Sequence, residues 1–213
     1  MKNIFELILD FLFPLRCLGC QREGFWLCPS CVETLPLDPS YERFERILVF
    51  SVCDYEKNII KKIIKICKFS GVRDLATILG HLVIRGAVHF PEIKDLLENN
   101  SSLIIIPIPL SPRRERERGF NQSLIIAQEI SDYFKIPLLD KLKKSERKPQ
   151  SGLSANKRAK NIEAAFFWAG GNLSNYRIIL IDDVVTTGST LSEAAKILKQ
   201  SGAKRITGLT VAR

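Results

Sequence analysis

Residues 178–190 read Ile-Ile-Leu-Ile-Asp-Asp-Val-Val-Thr-Thr-Gly-Ser-Thr, two acids beside a hydroxyl-rich turn. The apolar run 178–181 predicts a buried strand of a parallel sheet. Asp182 and Asp183 follow it, then Thr186, Thr187, Gly188, Ser189 and Thr190, which open a helix predicted over 191–200. Ligands in open α/β sheets bind outside the carboxyl ends of strands. The first turn of a helix offers free backbone N–H groups and the positive end of its dipole, which suits a phosphate. Gly188 lets the backbone come close, and the hydroxyls add donors. This is chemistry for a sugar phosphate, with carboxylates for a ribose diol and the turn for its phosphate. The competing reading is an acidic loop before a helix capped by Ser189 or Thr190. That reading uses one hydroxyl and leaves two acids and two threonines without a role.

A second cluster is cysteine. Cys17-Leu-Gly-Cys20 and Cys28-Pro-Ser-Cys31 are two knuckles seven residues apart. Four thiolates this close can surround one tetrahedral Zn²⁺, and Gly19 helps the first knuckle turn. The segment is too small for a core of its own, so a metal would hold it. Disulfides compete, but no export signal supports them. A redox pair is a third reading, which two clustered pairs fit less well. Cys53 and Cys67 lie in apolar or helical contexts and read as buried, inert thiols. His81 and His89 have no ligand spacing to the cysteines and carry no assigned role.

Two basic stretches come next. Residues 111–122 hold Ser111, Arg113, Arg114, Arg116, Arg118 and Phe120, and follow a strand predicted over 103–106. They are read as a loop at the carboxyl edge of the sheet. Arginines there can hold a pyrophosphate through bidentate contacts. The alternative is a solvated run of alternating charge. Phe120 is either a stacking platform for a base or a buried anchor for the helix after it. Residues 141–160 carry eight Lys or Arg, among them Arg158, and few acids. They read as a phosphate-contacting loop or a disordered surface segment.

These groups need positioning elements. Strands are predicted over 46–52, 103–106, 164–168, 178–181 and 205–211, and helices over 56–69, 74–90, 121–133 and 191–200. The alternation predicts a mainly parallel α/β sheet flanked by helices. Residues 36–40 read as a linker between an N-terminal unit, 1–40, and a main domain, 41–213. Apolar residues 4–13 predict a short amphipathic helix packed on the body. The segment is too short to span a bilayer, and the acids on its polar face disfavour a membrane-surface role. No cleavage site follows it and no other segment can cross a membrane, so a cytoplasmic protein is expected. The 213 residues carry a net charge of +9, with 46% hydrophobic residues, which favours anionic partners.

Residues 178–190 resemble the phosphoribosyl-pyrophosphate (PRPP) motif of type I phosphoribosyltransferases. Taken in order, the knuckles, the stretch PIPLSPRRERERGFNQS and LIDDVVTTGSTL resemble the ComF family of competence-associated, phosphoribosyltransferase-like proteins. Gln150, Arg158, Asn161 and Phe166 also fall where that family tends to have these types. Two departures stand out. Arg147-Lys148-Pro149 replaces a common threonine, and Lys143 and Lys144 stand where many relatives have arginine, which unlike lysine has a planar fork.

The resemblance implies a type I phosphoribosyltransferase-like fold with an N-terminal zinc ribbon, and PRPP bound with Mg²⁺. Asp182 and Asp183 would hold the ribose, and Thr186 to Thr190 the 5′-phosphate. Pro109, Leu110 and Ser111 would line the pyrophosphate side. It also implies handling of single-stranded DNA in natural transformation, with the ribbon available to a DNA-processing partner protein. Two further functions compete: a phosphoribosyltransferase acting on a base or amine, and a PRPP-sensing docking protein. No helix-turn-helix is evident, which argues against a sequence-specific repressor.

Overall fold

Long apolar, β-branched runs build the centre of the fold. The computed structural model describes residues 14–45, 47–99, 101–145 and 166–213. Its main sheet has five strands: β1 (Ser40–Phe44), β2 (Ile47–Cys53), β3 (Leu103–Pro107), β6 (Arg177–Val184) and β7 (Arg205–Ala212). Their order is β1-β2-β7-β6-β3. β2, β7, β6 and β3 run parallel, and only the edge strand β1 is antiparallel. All five residues of β3 are buried, as expected of a parallel strand covered on both faces. A separate antiparallel pair joins β4 (Leu142–Lys144) to β5 (Phe166–Trp168).

Strand alternation splits the core in two. Ile179, Ile181, Leu209 and Val211 face one side. There they pack with α2 (Asn58–Phe69), α3 (Arg73–Ala87), α4 (Pro91–Glu98) and α6 (Gln122–Phe134). Ile104, Ile106, Ile178 and Leu180 face the other side, under α7 (Ser189–Gln200) and the β4–β5 pair. Helices cover both faces of this mostly parallel sheet, and the crossovers leave the carboxyl ends of β3 and β6 side by side. Pro107 pairs with Ile181, one residue before the acids.

The cysteine segment adds the short helix α1 (Pro29–Glu33) and an isolated bridge between Arg16 and Glu23. Its Cys17, Leu27, Cys28 and Leu35 belong to the same core cluster as α3 and the sheet. Arg85 of α3 donates to the carbonyls of Val32, Glu33 and Leu35, at 3.0, 2.6 and 2.5 Å. The expected linker begins to pair at once: Asp38 N–H donates to Val52 O, and Ser40 opens β1.

Several expectations are corrected. The strand expected over 178–181 runs on to Val184, so both acids lie in β6 and not beyond it. The basic loop of 111–122 is largely a helix, α5 (Pro112–Arg118). Its Ser111 side chain caps the start, Pro112 occupies the first turn, and Gly119 ends it at φ +81°. Residues 142–144, assigned to the second basic loop, form β4. The helix expected over 74–90 ends at Ala87, and Pro91 begins α4. The N-terminal helix over 4–13 and the beginning of the strand over 164–168 lie outside the described residues. Among the described residues no helix is long and apolar enough to cross a membrane.

Candidate functional site at the ends of β3 and β6

Asp182 and Asp183 point to different neighbours because they are adjacent in a strand. Asp182 Oδ1 accepts from Ser123 Oγ and from the Asp183 N–H, both at 2.9 Å. Burial pushes the Asp182 carboxyl up to about 7, helped by the Asp183 charge. The two hydrogen bonds and Lys68 pull the other way. Asp183 is buried, and Lys68 Nζ, from the end of α2, lies 2.9 Å from its Oδ2. That contact is an ion pair outside hydrogen-bonding geometry, so Oδ2 is a buried oxygen with no hydrogen-bond partner among the described residues. A buried carboxylate oxygen left in this state is unusual and marks a place for a donor.

The hydroxyl turn follows within two residues. Gly188 is the N-cap of α7, at φ +69°, and no side chain caps the helix. Capping by Ser189 or Thr190 is therefore not what the turn does; Ser189 Oγ instead meets Thr187 Oγ1 at 2.5 Å. A Cβ at position 188 would lie 2.2 Å from the Phe44 ring, so the close neighbour that requires glycine includes β1. The turn and the start of α7 enclose a hollow of about 90 Å³, which Asp182 also lines.

Beside it opens a cleft of about 950 Å³. Asp182, Val184 and Thr190 line both spaces, so the two adjoin. Pro109, Leu110 and Ser111 line the cleft. Helix α5 turns Arg113, Arg114 and Arg118 to the cleft, together with Glu117. This is the i, i+1, i+4, i+5 face of a helix. Arg116 is on the opposite face and is not among the lining residues. Arg158 lies outside the described residues.

The stretch 118–123 is a bracket for this site. Arg118 donates to Gln122 Oε1. Phe120, one of whose two expected roles was a stacking platform, is 7% exposed and sits in the core. It is the anchor, with the Arg73 guanidinium 5.8 Å over its ring. Asn121 caps α6 through its Oδ1 and donates from Nδ2 to Ile108 O at 3.0 Å, tying α6 to the cleft wall. Ser123 then reaches Asp182.

Sequence reasoning gave no site role to the lining residues Lys68 and Phe69, and it had Lys144 only as part of the second basic stretch. The lysine row of α2 was a signal for the first, but nothing local showed that its end folds over β6. Burial in the cleft wall and the Arg114 charge lower the Lys144 ammonium from its ordinary value, and Lys144 Nζ sits 4.8 Å from the Phe166 ring.

The four cysteines of the N-terminal segment meet in space. All four Sγ atoms lie within 4.8 Å of one another. A tetrahedron with Zn–S bonds of about 2.3 Å needs sulfurs roughly 3.8 Å apart, so the set fits a metal ion. A Cβ at Gly19 would meet Cys31 Sγ at 2.7 Å, which is why the knuckle needs glycine. Burial pushes the Cys17 thiol up, but the backbone N–H groups of Cys20, Cys28 and Gly19 outweigh it and bring it down to about 6. Crowding by the Cys28 and Cys20 sulfurs lifts Cys31 to about 12. One cation among the four would relieve that crowding.

Several known proteins are similar to this chain. The family described as Phosphoribosyl transferase domain matches residues 121–213. Competence protein F of Haemophilus influenzae is 33% identical over 198 residues, 91% of this chain and 82% of that protein. DNA utilization protein YhgH of Escherichia coli K12 is 30% identical, covering 89% of this chain and 85% of its own length. Competence protein ComFC of Bacillus subtilis 168 is 36% identical over 113 residues, 52% of this chain and 44% of that protein. Among solved structures, the allosteric regulatory enzyme of purine biosynthesis matches at 15% identity and a TM-score of 0.37, over 55% of this chain and 24% of that one.

Proposed function

This chain belongs to the family of competence protein F and its ComFC and YhgH relatives, with a phosphoribosyl transferase domain, and from that premise we propose that it binds PRPP with Mg²⁺ and uses this site in handling single-stranded DNA. One observation carries the reading. An acid pair with a buried oxygen held only by the Lys68 ammonium, an uncapped helix start and an arginine face line two adjoining spaces at the ends of β3 and β6. Each group suits one part of the ligand.

Asp182 and Asp183 accept from the ribose hydroxyls. The first amides of α7, with Thr186, Thr187, Ser189 and Thr190, donate to the 5′-phosphate, and the smaller hollow suits a single phosphate group. Ser111, Arg113, Arg114 and Arg118 face the pyrophosphate, and Lys68 releases part of its hold on Asp183 as the ligand arrives. Mg²⁺ supplies neutralisation of the pyrophosphate, which is too anionic to sit unscreened beside two carboxylates. In the N-terminal segment Cys17, Cys20, Cys28 and Cys31 hold one Zn²⁺. Phe25, 42% exposed on that ribbon, is available to a DNA-processing partner protein.

A second reading is favoured by size. The larger cleft exceeds the phosphate hollow by far, which leaves room for an acceptor base or amine next to a bound sugar phosphate. In that case pyrophosphate leaves C1 as the acceptor nitrogen bonds to it.

Calorimetry with PRPP, with and without Mg²⁺, tests the main reading. Heat of binding is expected only with the metal, and should vanish in the Asp182→Asn, Asp183→Asn double variant. A double variant that stays folded and binds Mg²⁺–PRPP as tightly as the parent would overturn it.

A further inference from the structure

Helix α2 presents a stripe the site above does not use. Its buried face is Ile60, Ile63, Ile64 and Cys67. Its outer face carries Lys62, Lys65 and Phe69, at i, i+3 and i+7, all exposed. These positions lie one above another on a helix, with Lys65 about 6 Å and Lys62 about 10 Å along the axis from Phe69. The neighbouring lysines are engaged: Lys61 pairs with Glu56 at 2.9 Å and Lys68 with Asp183. Lys62 and Lys65 have no acid partner among the described residues. Phe69 is 80% exposed, the most exposed of the large apolar residues among those described. An aromatic ring in water gains nothing from folding there, yet it lines the mouth of the candidate PRPP cleft.

We infer that the outer face of α2 is a track for single-stranded nucleic acid, with backbone phosphates on Lys62 and Lys65 and a base stacked on the Phe69 ring at the mouth of the cleft. The inference deepens the nucleic-acid part of the function proposed above. A cationic line that ends on an exposed ring is the combination that binds single strands without reading sequence, because every base has a flat face. The stacking role that sequence reasoning offered Phe120 thus falls to Phe69. The cations Arg113, Arg114 and Lys144, which line the same cleft, extend the positive field beyond the ring. A strand on this track arrives with a base at the acid pair's doorstep, held by its ring face and not by its hydrogen-bonding edges.

The test is a fluorescence anisotropy titration of a labelled oligothymidine, of an abasic strand of equal length, and of a free nucleoside. Phe69→Ala is expected to weaken oligothymidine binding by roughly 5- to 150-fold and to leave abasic-strand binding unchanged. Phe69→Trp should restore the affinity and show tryptophan quenching on binding. Lys62→Ala with Lys65→Ala should flatten the salt dependence by about 1.4 in slope, at about 0.7 per lost phosphate contact. The track is overturned if the parent binds no strand at low ionic strength. Phe69→Ala binding oligothymidine as the parent does would overturn it too. So would a Phe69→Trp quench with the nucleoside and none with the strand. Mg²⁺–PRPP calorimetry on the parent separates the two proposals. A parent that binds no PRPP but holds strands through Phe69 removes the ligand reading and keeps the track.

Discussion

Asp182 holds its proton more tightly folded than unfolded. Its carboxyl sits at about 7 in the fold, against an ordinary 3.8. Between those values the folded state binds more protons than the unfolded state, so stability falls as pH rises through that window. This is the reverse of the usual salt-bridged acid. The ligand-free parent should therefore lose thermal stability relative to Asp182→Asn between about pH 4 and pH 7, and no further above it. Melting temperatures of both proteins, compared at each pH, check this. A constant difference across the window would refute it. Lys68 and the empty hydrogen-bonding direction at Asp183 Oδ2 show the same tension in the resting site. The motif residues at this scale were legible in the sequence because strand, acids and turn are consecutive. The Ser123 and Lys68 partners were not, since they come from 59 and 115 residues away and depend on the fold.

Helix α5 shows what periodicity cannot see. Its arginines and glutamates contain no apolar stripe, so the segment looked like a charged loop. The signals that define it are terminal: the Ser111 cap, Pro112 in the first turn, and Gly119 in the left-handed region. The next element depends on one ring. Phe120 is buried between α5 and α6 and holds Asn121 and Ser123 at the site. Phe120→Ala should cost about 3–5 kcal/mol of stability, read as a lower urea midpoint. Unchanged stability with lost strand affinity would return the ring to a surface role. Strand β1 escaped sequence reading for another reason. The turn-rich residues before it resemble a linker, and a five-residue edge strand alternating half-buried with exposed carries little pattern.

At the scale of the whole molecule the cysteine segment is not a detachable appendage. Leu27 and Leu35 belong to the core shared with α3, and Arg85 fastens three of the segment's carbonyls. Purified protein is expected to carry one Zn²⁺ per chain by metal analysis. Removing it with a chelator should lower the melting temperature of the entire fold. Withdrawing even one of those leucines costs about 1.5–3 kcal/mol, or roughly 3–12 °C for a chain of this size. A separate low-temperature transition, with the main unfolding unmoved, would show the segment to be independent after all. Composition suggested a division at the linker-like residues 36–40. The shared core was not readable there, because it is made by residues that look like ordinary loop hydrophobes.

The position of β7 has a consequence for how the protein comes into being. β7 follows the other six strands of the described residues along the chain, yet it lies between β2 and β6. Once β6 has been delivered and before β7 has, β1 with β2 and β3 with β6 are two half-sheets, each with a bare inner edge. Neither half can zip to the other until β7 emerges. Nascent chains of this protein thus pass through a window in which two unpaired edges are open to the wrong partner. The acid pair is assembled on one of those edges, so the site and the scaffold mature together when β7 takes its place.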